Sequence, residues 1–329
     1  IVRDATAIKE YAAVTDWPIV LCPRTADLEI VTASSVRAVF YLNQVARNTD
    51  MVAWRGPRHI YLGHGDSNKM LSSHPAHAMY DEIWVAGRHS IDRYRDAGVV
   101  IEPSKFVIIG RPQLAVLGDS TGSVAGRNLK AGPSASRPIA LYAPTWHGYN
   151  SMTQLSSLAR GPQIVDELTV AGFDVIFRPH PMSALTRAGR AQIAAIRSRL
   201  QTTTPQPKTF AEAAAEADLL VADPSSVIVD FLATGRPVIA ILPSKSASSG
   251  PMGVNDSADS AVLGLDARVL PALYQVDSSL QNLSEVIADA AGADSLRLTR
   301  LKVRDELFAD APEVGWTKHW DEQLTRVLA

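Results

Sequence analysis

The sequence predicts an α/β protein of two Rossmann-like domains, each with a mainly parallel sheet, facing a central cleft. Three observations carry this reading. Short β-branched runs alternate with helical patterns along the whole chain, as in parallel sheets covered on both faces. The length of 329 residues corresponds to about two domains at roughly 150 residues each. The alternation stops at a Gly-, Ser-, Thr- and Ala-rich stretch, Gly118 to Pro138, and then restarts, as expected of an interdomain linker.

In the first half, Pro18–Leu21 and Leu28–Val31 read as strands. Ser34 to Arg47 reads as a helix with Val36, Phe40, Leu42 and Val45 on its core face. His59–Leu62 is a strand that runs into Gly63-His64-Gly65. Glu82–Val85 and Phe106–Ile109 are strands, with a helix near Ser90–Ala97 between them. After the linker, Ile139–Tyr142, Asp174–Phe177, Leu219–Val221 and Val238–Ile241 read as strands. Thr209-Phe210-Ala211-Glu212 has capping-box spacing, where two side chains satisfy free N–H groups at a helix start. Gly235 is placed to stop the helix ending Phe231–Thr234. Ser244 to Ser260 reads as a loop. Helices follow near Ser279–Ala291, Ser295–Phe308 and Trp316–Leu328. The domains are therefore expected at 1–117 and 138–312, with a linker at 118–137. A last helix at 313–329 is expected to cross back to the first domain.

Composition narrows the function. Lys plus Arg is 32 and Asp plus Glu is 34, a formal charge of −2, so the basic excess of a nucleic-acid binder is missing. Cys22 is the one cysteine, which excludes an intrachain disulfide and a cysteine-based zinc site. No apolar run approaches the ~18 residues of a membrane span. Ile1-Val2-Arg3-Asp4 does not read as a signal peptide. A cytoplasmic setting is expected, which extends to the inner face of the plasma membrane. Leu185 to Leu200 sets Leu185, Ile193, Ile196 and Leu200 on one face, away from Arg187, Arg190 and Arg197. It fits a surface helix of a Rossmann sheet, or a face that touches anionic lipid.

Three loops hold residues suited to chemistry. Gly63-His64-Gly65-Asp66-Ser67-Asn68-Lys69 follows a strand and only partly fits a dinucleotide fingerprint, because Asn68 stands at the third glycine. A histidine between glycines at a strand's C-terminal end lets a ligand approach closely and can take a proton near neutral pH. An incidental His in a tight turn is the plain alternative. Arg178-Pro179-His180-Pro181 also ends a strand, and both side chains suit a phosphate oxygen. Asp223-Pro224-Ser225-Ser226 joins a strand to a helix start, where the serines are caps or part of an anion site. His74 and His77 have i, i+3 spacing, yet with no Cys or assignable carboxylate nearby no metal is expected there. Asp-x-Asp occurs nowhere in the chain.

In order, these segments resemble the CDP-glycerol glycerophosphotransferase family, the teichoic-acid polymerases and primases. His64-Gly65-Asp66-Ser67-Asn68-Lys69 matches its His-Gly-x-x-x-Lys. Tyr142-Ala143-Pro144-Thr145-Trp146 matches its Tyr-Ala-Pro-Thr-Trp, and Arg178-Pro179-His180-Pro181 its Arg-x-His-Pro. Asp223-Pro224-Ser225-Ser226, Asp230 and Arg236-Pro237-Val238 follow its Asp-Tyr-Ser-Ser, acidic and Arg-Pro pattern, with Pro224 in place of Tyr. The likeness covers about residues 35–245.

It implies a GT-B fold with the nucleotide donor mainly on the second domain and the acceptor mainly on the first. The implied reaction passes an alditol phosphate from a CDP-alcohol to a hydroxyl of a cell-wall or capsule-type glycopolymer, lipid-linked or not, and releases CMP. His64 is the implied base, oriented by Asp66, with His180 as the second catalytic histidine. Arg178, Ser225 and Ser226 would take the pyrophosphate and Asp230 the ribose. Lys69, Arg111 and Thr145 complete the substrate contacts. No cofactor is implied, and magnesium would do no more than neutralise free donor. Two alternatives stay open: another GT-B nucleotide-sugar enzyme (glycosyltransferase or sugar-nucleotide epimerase), and a non-catalytic nucleotide- or polymer-binding module.

Overall fold

The computed structural model describes residues 1–31, 35–63, 73–117, 137–148, 155–200, 209–243, 265–310 and 315–329. Its frame is a pair of parallel sheets. In the first, β1 (Ala38–Tyr41), β2 (Arg58–Tyr61), β3 (Glu82–Val85) and β4 (Phe106–Ile108) lie side by side in chain order. Helices α1 (Ile8–Ala12), α2 (Asn48–Val52) and α3 (Arg88–Asp96) accompany it. The second sheet holds β5 (Ile139–Ala143), β6 (Asp174–Phe177), β7 (Leu219–Ala222), β8 (Val238–Leu242) and β9 (Tyr274–Asp277) in the order β6-β5-β7-β8-β9, again all parallel. Its helices are α4 (Gly161–Val170), α5 (Arg187–Arg197), α6 (Phe210–Glu216), α7 (Ser226–Leu232), α8 (Leu283–Ala291) and α9 (Arg297–Leu307), and α10 (Trp316–Leu328) ends the chain.

Side chains of a strand alternate between faces, and both faces of each sheet are covered. In the first sheet Tyr41, Tyr61, Ile83 and Val85 pack with Met51, Val52, Tyr80 and Tyr94. Ile60 and Trp84 point the other way and pack with Phe40, Trp320 and Val327. Helix α10 thus covers the second face of the first sheet. Trp320 meets Trp84 edge-on at 5.0 Å, and His319 Nε2 donates to the Ile108 carbonyl at 3.1 Å. Arg326 and Arg58 converge on the buried Glu82 carboxylate, which also accepts the Trp84 indole N–H at 2.8 Å.

In the second sheet the capping box forms as the sequence predicts. Thr209 Oγ1 accepts the Glu212 N–H at 3.1 Å, and Glu212 Oε2 accepts the Thr209 N–H at 2.7 Å. Ile193 and Ile196 of α5 are buried in the sheet's core with Leu200 against them. Three of the four apolar residues of that face are thus used for packing, as in a surface helix of a Rossmann sheet, while Leu185 is exposed.

The first 47 residues differ most from the sequence reading. Residues 38–41 form β1 where a helix is predicted. Val39, Phe40 and Tyr41 are β-branched or aromatic, and a parallel strand buried on both faces reads as a continuous apolar run without clear period. Leu42 and Val45, assigned there to a helix core face, are exposed. Thr25–Ile30 is a 3₁₀ helix rather than a strand, tied at its start by Asp27 accepting the Arg24 N–H at 2.8 Å. Pro18–Leu21 contributes only an isolated bridge between Val2 and Leu21. Strand β9 was not foreseen; its buried and exposed residues alternate strictly.

Candidate active site

Ligands of open parallel sheets sit outside the strands' carboxyl ends, where the strand order reverses. In the second sheet this switch lies at β5, which has β6 on one side and β7 on the other. The three sequence segments singled out in this half follow those three strands. Their backbones are tied together. The Arg178 N–H donates to Tyr142 O at 2.9 Å and the His180 N–H to Pro144 O at 3.2 Å, so the loop after β6 continues the ladder past β5. The Trp146 ring lies nearly parallel to the His180 imidazole, with centroids 6.2 Å apart.

Asp223 joins the third segment to the first. It is fully buried, and Oδ2 accepts the N–H groups of Thr145 at 2.8 Å and Ser157 at 2.9 Å. Burial pushes its carboxyl up to about 7, against the lowering effect of the hydrogen bonds from Ser157 and Thr145. Ser157 is in turn bonded to the Tyr142 hydroxyl at 2.8 Å. Thr145, a predicted substrate contact, is buried, and its backbone serves this network.

Ser225 is the N-cap of α7 but its side chain caps nothing; its Oγ donates to the Asp223 carbonyl at 3.1 Å. Ser226 is the first helical residue and half-buried. His180 caps the 3₁₀ turn Pro181–Leu185, its Nδ1 accepting the Met182 N–H at 3.1 Å. A neutral imidazole that accepts at Nδ1 carries its proton on Nε2. His180 is therefore a donor at Nε2, the form suited to an anionic oxygen. Arg178 is half-buried, and burial pulls its pKa down while Glu212 opposes the shift.

On the first sheet, β2 leads into Gly63, which has φ +67°. His64, Asp66 and Lys69 lie outside the described residues. Arg111 follows β4 and is 7% exposed. Its Nε lies 3.2 Å from Oδ1 of Asp230 on α7. Two residues each expected to touch substrate thus reach across from separate sheets and meet each other. His77 is buried against Tyr61, ring centroids 4.0 Å apart, and bonded through Nδ1 to Tyr94 at 2.7 Å. Burial, then the His74 and Arg93 charges, pulls its pKa down to about 4. Among the described residues no group of three or more His, Cys, Asp or Glu side chains is placed to hold a metal ion.

Sequence reasoning passed over Asp223 as a residue that orders the site, although a carboxylate at the end of an apolar strand is a readable signal. It also missed Arg93 and Trp320, which line a cavity at the first sheet's strand ends. One lies on a polar helix and the other in the chain's last helix, so only the fold brings them together.

No curated protein matches the sequence. Among solved structures, two of the wall teichoic acid polymerase TagF are similar. One, a variant soaked with CDPG, is 15% identical with TM-score 0.53, covering 83% of this chain and 69% of that one. The other is 14% identical with TM-score 0.54, covering 89% and 72%. A protein assigned as a UDP-N-acetylglucosamine 2-epimerase from Listeria monocytogenes is 11% identical with TM-score 0.51, covering 94% and 81%. At these identities the likeness is one of fold, and that fold is GT-B. The family profile of CDP-glycerol:poly(glycerophosphate) glycerophosphotransferase matches residues 27–247. That match spans two thirds of the sequence and includes every motif described above, and so the chain belongs to the CDP-glycerol:poly(glycerophosphate) glycerophosphotransferase family and is a transferase.

Proposed function

We propose that the protein transfers glycerol phosphate, or a related alditol phosphate, from a CDP-alcohol to a hydroxyl of a cell-wall glycopolymer. The observation that carries this is that the segments bearing Arg178 with His180 and Ser225 with Ser226 follow β6 and β7, the two strands beside β5 at the switch point of the second sheet. His180 there holds its Nε2 proton as a donor. In this reading residues 138–312 bind the donor and 1–117 present the acceptor.

The acceptor oxygen attacks the phosphorus that bears the alcohol. A new P–O ester bond forms, the anhydride P–O bond breaks, and CMP takes the bonding pair. A phosphate monoester with second pKa near 6 leaves readily at neutral pH, so activation of the nucleophile is the harder task. His64 accepts the acceptor's proton, a contribution of ~10²–10⁴-fold for a placed base, and Asp66 orients it. His180, Arg178 and the serines balance the charge that grows on the anhydride oxygens. Lys69 and Thr145 contact substrate, and Asp230 takes the ribose when the donor displaces Arg111. Tightly bound metal is not needed, since these donors and cations do its electrostatic work. No described helix is long and apolar enough to cross a membrane; a lipid-linked acceptor would be met at the membrane surface.

Calorimetric donor binding beside steady-state rates tests this. His64→Ala should cut turnover ~10²-fold or more with donor affinity nearly unchanged, because it meets the donor in the transition state. His180→Ala should weaken CDP-alcohol binding by roughly 10–100-fold, one charge-assisted hydrogen bond. Turnover should survive chelator. Binding of UDP- or GDP-sugars in preference to every CDP-alcohol would overturn the reading in favour of another GT-B enzyme.

A further inference from the structure

Between Asp174 and Glu212 the sequence carries Arg178, Arg187, Arg190, Arg197, Arg199 and Lys208 and no Asp or Glu, in a chain whose formal charge is −2. The fold puts most of this charge on one helix. Arg187, Arg190, Arg197 and Arg199 lie on α5 or just past its end, and all four are exposed. At about 100° per residue, Arg187, Arg190 and Arg197 fall within an arc of about 80°. The small, exposed Ala191 and Ala194 lie beside them, while Ile193 and Ile196 face the core. Arg199 is on the other flank, where it pairs with Asp166 of α4 at 2.8 Å. The second acid of α4, Glu167, accepts the Ser284 hydroxyl at 2.6 Å. Among the described residues no carboxylate pairs with Arg187, Arg190 or Arg197. The 3₁₀ turns packed on α5, Leu158–Arg160 and Pro181–Leu185, add the exposed Arg160 and no acid. Segments 149–154 and 201–208, outside the described residues, contain no Asp or Glu either. Leu185 ends the second turn and is 68% exposed. Arg190 Nη1 donates to the Ala184 and Leu185 carbonyls at 2.9 and 3.1 Å, which fixes the turn that carries this leucine at the N-terminal end of the stripe.

A row of exposed cations with no acid in reach attracts a surface of the opposite sign. The partner has to be broad, because the stripe runs along a convex helix for about 15 Å from Arg187 to Arg197. It also has to accommodate an exposed leucine. A soluble polyanion offers Leu185 nothing, whereas the boundary between lipid headgroups and acyl chains takes both a cation row and an apolar side chain. We infer that α5 docks the second domain on an anionic lipid surface, with Arg187, Arg190 and Arg197 at the level of the phosphates and Leu185 inserted beside them. Ile193 and Ile196 stay in the core, so the docking is chiefly electrostatic and reversible. Arg178 and His180 follow β6, the strand that feeds this helix, so the contact brings the strand-end loop of the second sheet towards the bilayer. The inference stands apart from the transferase reading, since it uses only the charge and shape of α5.

The test is co-sedimentation of the full chain with vesicles of equal parts phosphatidylglycerol and phosphatidylcholine, beside vesicles of phosphatidylcholine alone. Binding to the mixed vesicles only is expected, and it should fade as salt rises and the screening length shrinks. Arg187→Gln with Arg197→Gln should lower partitioning roughly 25-fold, about fivefold per arginine. Leu185→Ser should weaken it separately, by the loss of apolar burial. These side chains are exposed, so the melting temperature should not move. The matched control, Arg297→Gln with Lys302→Gln, removes the same charge from the exposed side of α9 and should leave binding unchanged. The inference is overturned if phosphatidylcholine vesicles bind the protein as well as the mixed ones do, or if the control loses as much binding as the α5 variant. It is equally overturned if soluble poly(glycerol phosphate), at the same phosphate concentration, strips the protein from the vesicles, which would assign the stripe to a soluble polyanion.

Discussion

Replacing Asp223 by Asn should make the protein relatively more stable as the pH rises. The folded carboxyl is raised from 3.8 to about 7 by burial, which outweighs the hydrogen bonds from the Ser157 side chain and from the Ser157 and Thr145 backbones. Below pH 3.8 both states hold the proton and pH has no effect through this group. Between 3.8 and 7 the unfolded chain releases the proton while the folded chain keeps it, so stability falls as pH rises. Above 7 the full cost is present. At 1.36 kcal/mol per pKa unit, wild type carries a penalty of about 1.7 kcal/mol at pH 5 and about 4 kcal/mol at pH 8. Asn has no such penalty at either pH. Its amide oxygen still accepts from Thr145 and Ser157, while its NH₂ group adds a constant burial cost of about 1–3 kcal/mol. The stability difference between variant and wild type should therefore swing by about 2.5 kcal/mol towards the variant from pH 5 to pH 8. Urea unfolding of both proteins at the two pH values measures it. Parallel pH dependences would show that Asp223 is ionised throughout and refute the reasoning. Asp223→Ala is the contrasting case, because it strands two buried N–H groups at about 1–3 kcal/mol each at every pH.

Three further outcomes are expected. Burial raises the Glu82 carboxyl, but its bonds to Arg326, Trp84 and Arg58 prevail and hold it at about 2 instead of 4.5. The stability it gives is present above pH 4.5 and lost as pH falls towards 2. With both arginines half-exposed this amounts to about 2 kcal/mol, and acid unfolding of Glu82→Gln should lack that step. Gly110 has φ +70°, and a Cβ there would lie 2.3 Å from Trp316 Cδ1; Gly110→Ala should displace the start of α10 and lower stability by more than about 2 kcal/mol, measured by thermal melting. Arg111 and Asp230 form a pair with side chains 9% and 15% exposed, and breaking such a buried pair by removing one partner costs about 3–5 kcal/mol. A double-mutant cycle with Arg111→Met and Asp230→Asn should show coupling well above 1 kcal/mol, and additive effects would mean that the two charges act independently.

The second sheet was more legible in the sequence than the first, for a physical reason. Leu219–Val221 and Val238–Ile241 are apolar runs flanked by turn residues, and Thr209 with Glu212 announces a helix start by chemistry that is wholly local. β1 has no such flanks. Its partners, Trp84 beside Phe40 and Trp320 from the far end of the chain, supply the reason for its conformation, and neither is near in sequence. β9 lies beyond a long Ser- and Gly-rich stretch, with exposed Gln275 and Asp277 diluting its apolar signal. At the site, Arg178, His180 and the serines stood out because strand ends of parallel sheets are where ligands sit. The ion pair between Arg111 and Asp230 could not be read, since each residue alone resembles a surface charge. Nor could the cavity, where Arg93 and Arg111 become walls only when α3 and the β4 loop are folded together.

The seam between the two halves explains why Arg111 and Asp230 meet. At this seam α3 packs against α9 at backbone distance. Gly87 starts α3, and a Cβ on it would come within 2.6 Å of Leu307 O and 2.8 Å of Phe308 Cα. The Arg88 N–H donates to Ala309 O at 3.0 Å. Beside this contact lies a charge cluster. The buried Asp266 is pushed up by burial but held lower by hydrogen bonds from Arg268 and by the charge of nearby His89. Arg268 also reaches Asp92 and Asp96 on α3. Such a seam combines main-chain contact, a residue that must lack a side chain, and several shared charges, so it resists sliding. At the cleft itself the contact between the halves includes the Arg111–Asp230 pair. Asp230 is also the carboxylate proposed for the donor's ribose, so a donor that engages it would draw it from Arg111 and loosen this contact while the main-chain seam of α3 and α9 holds.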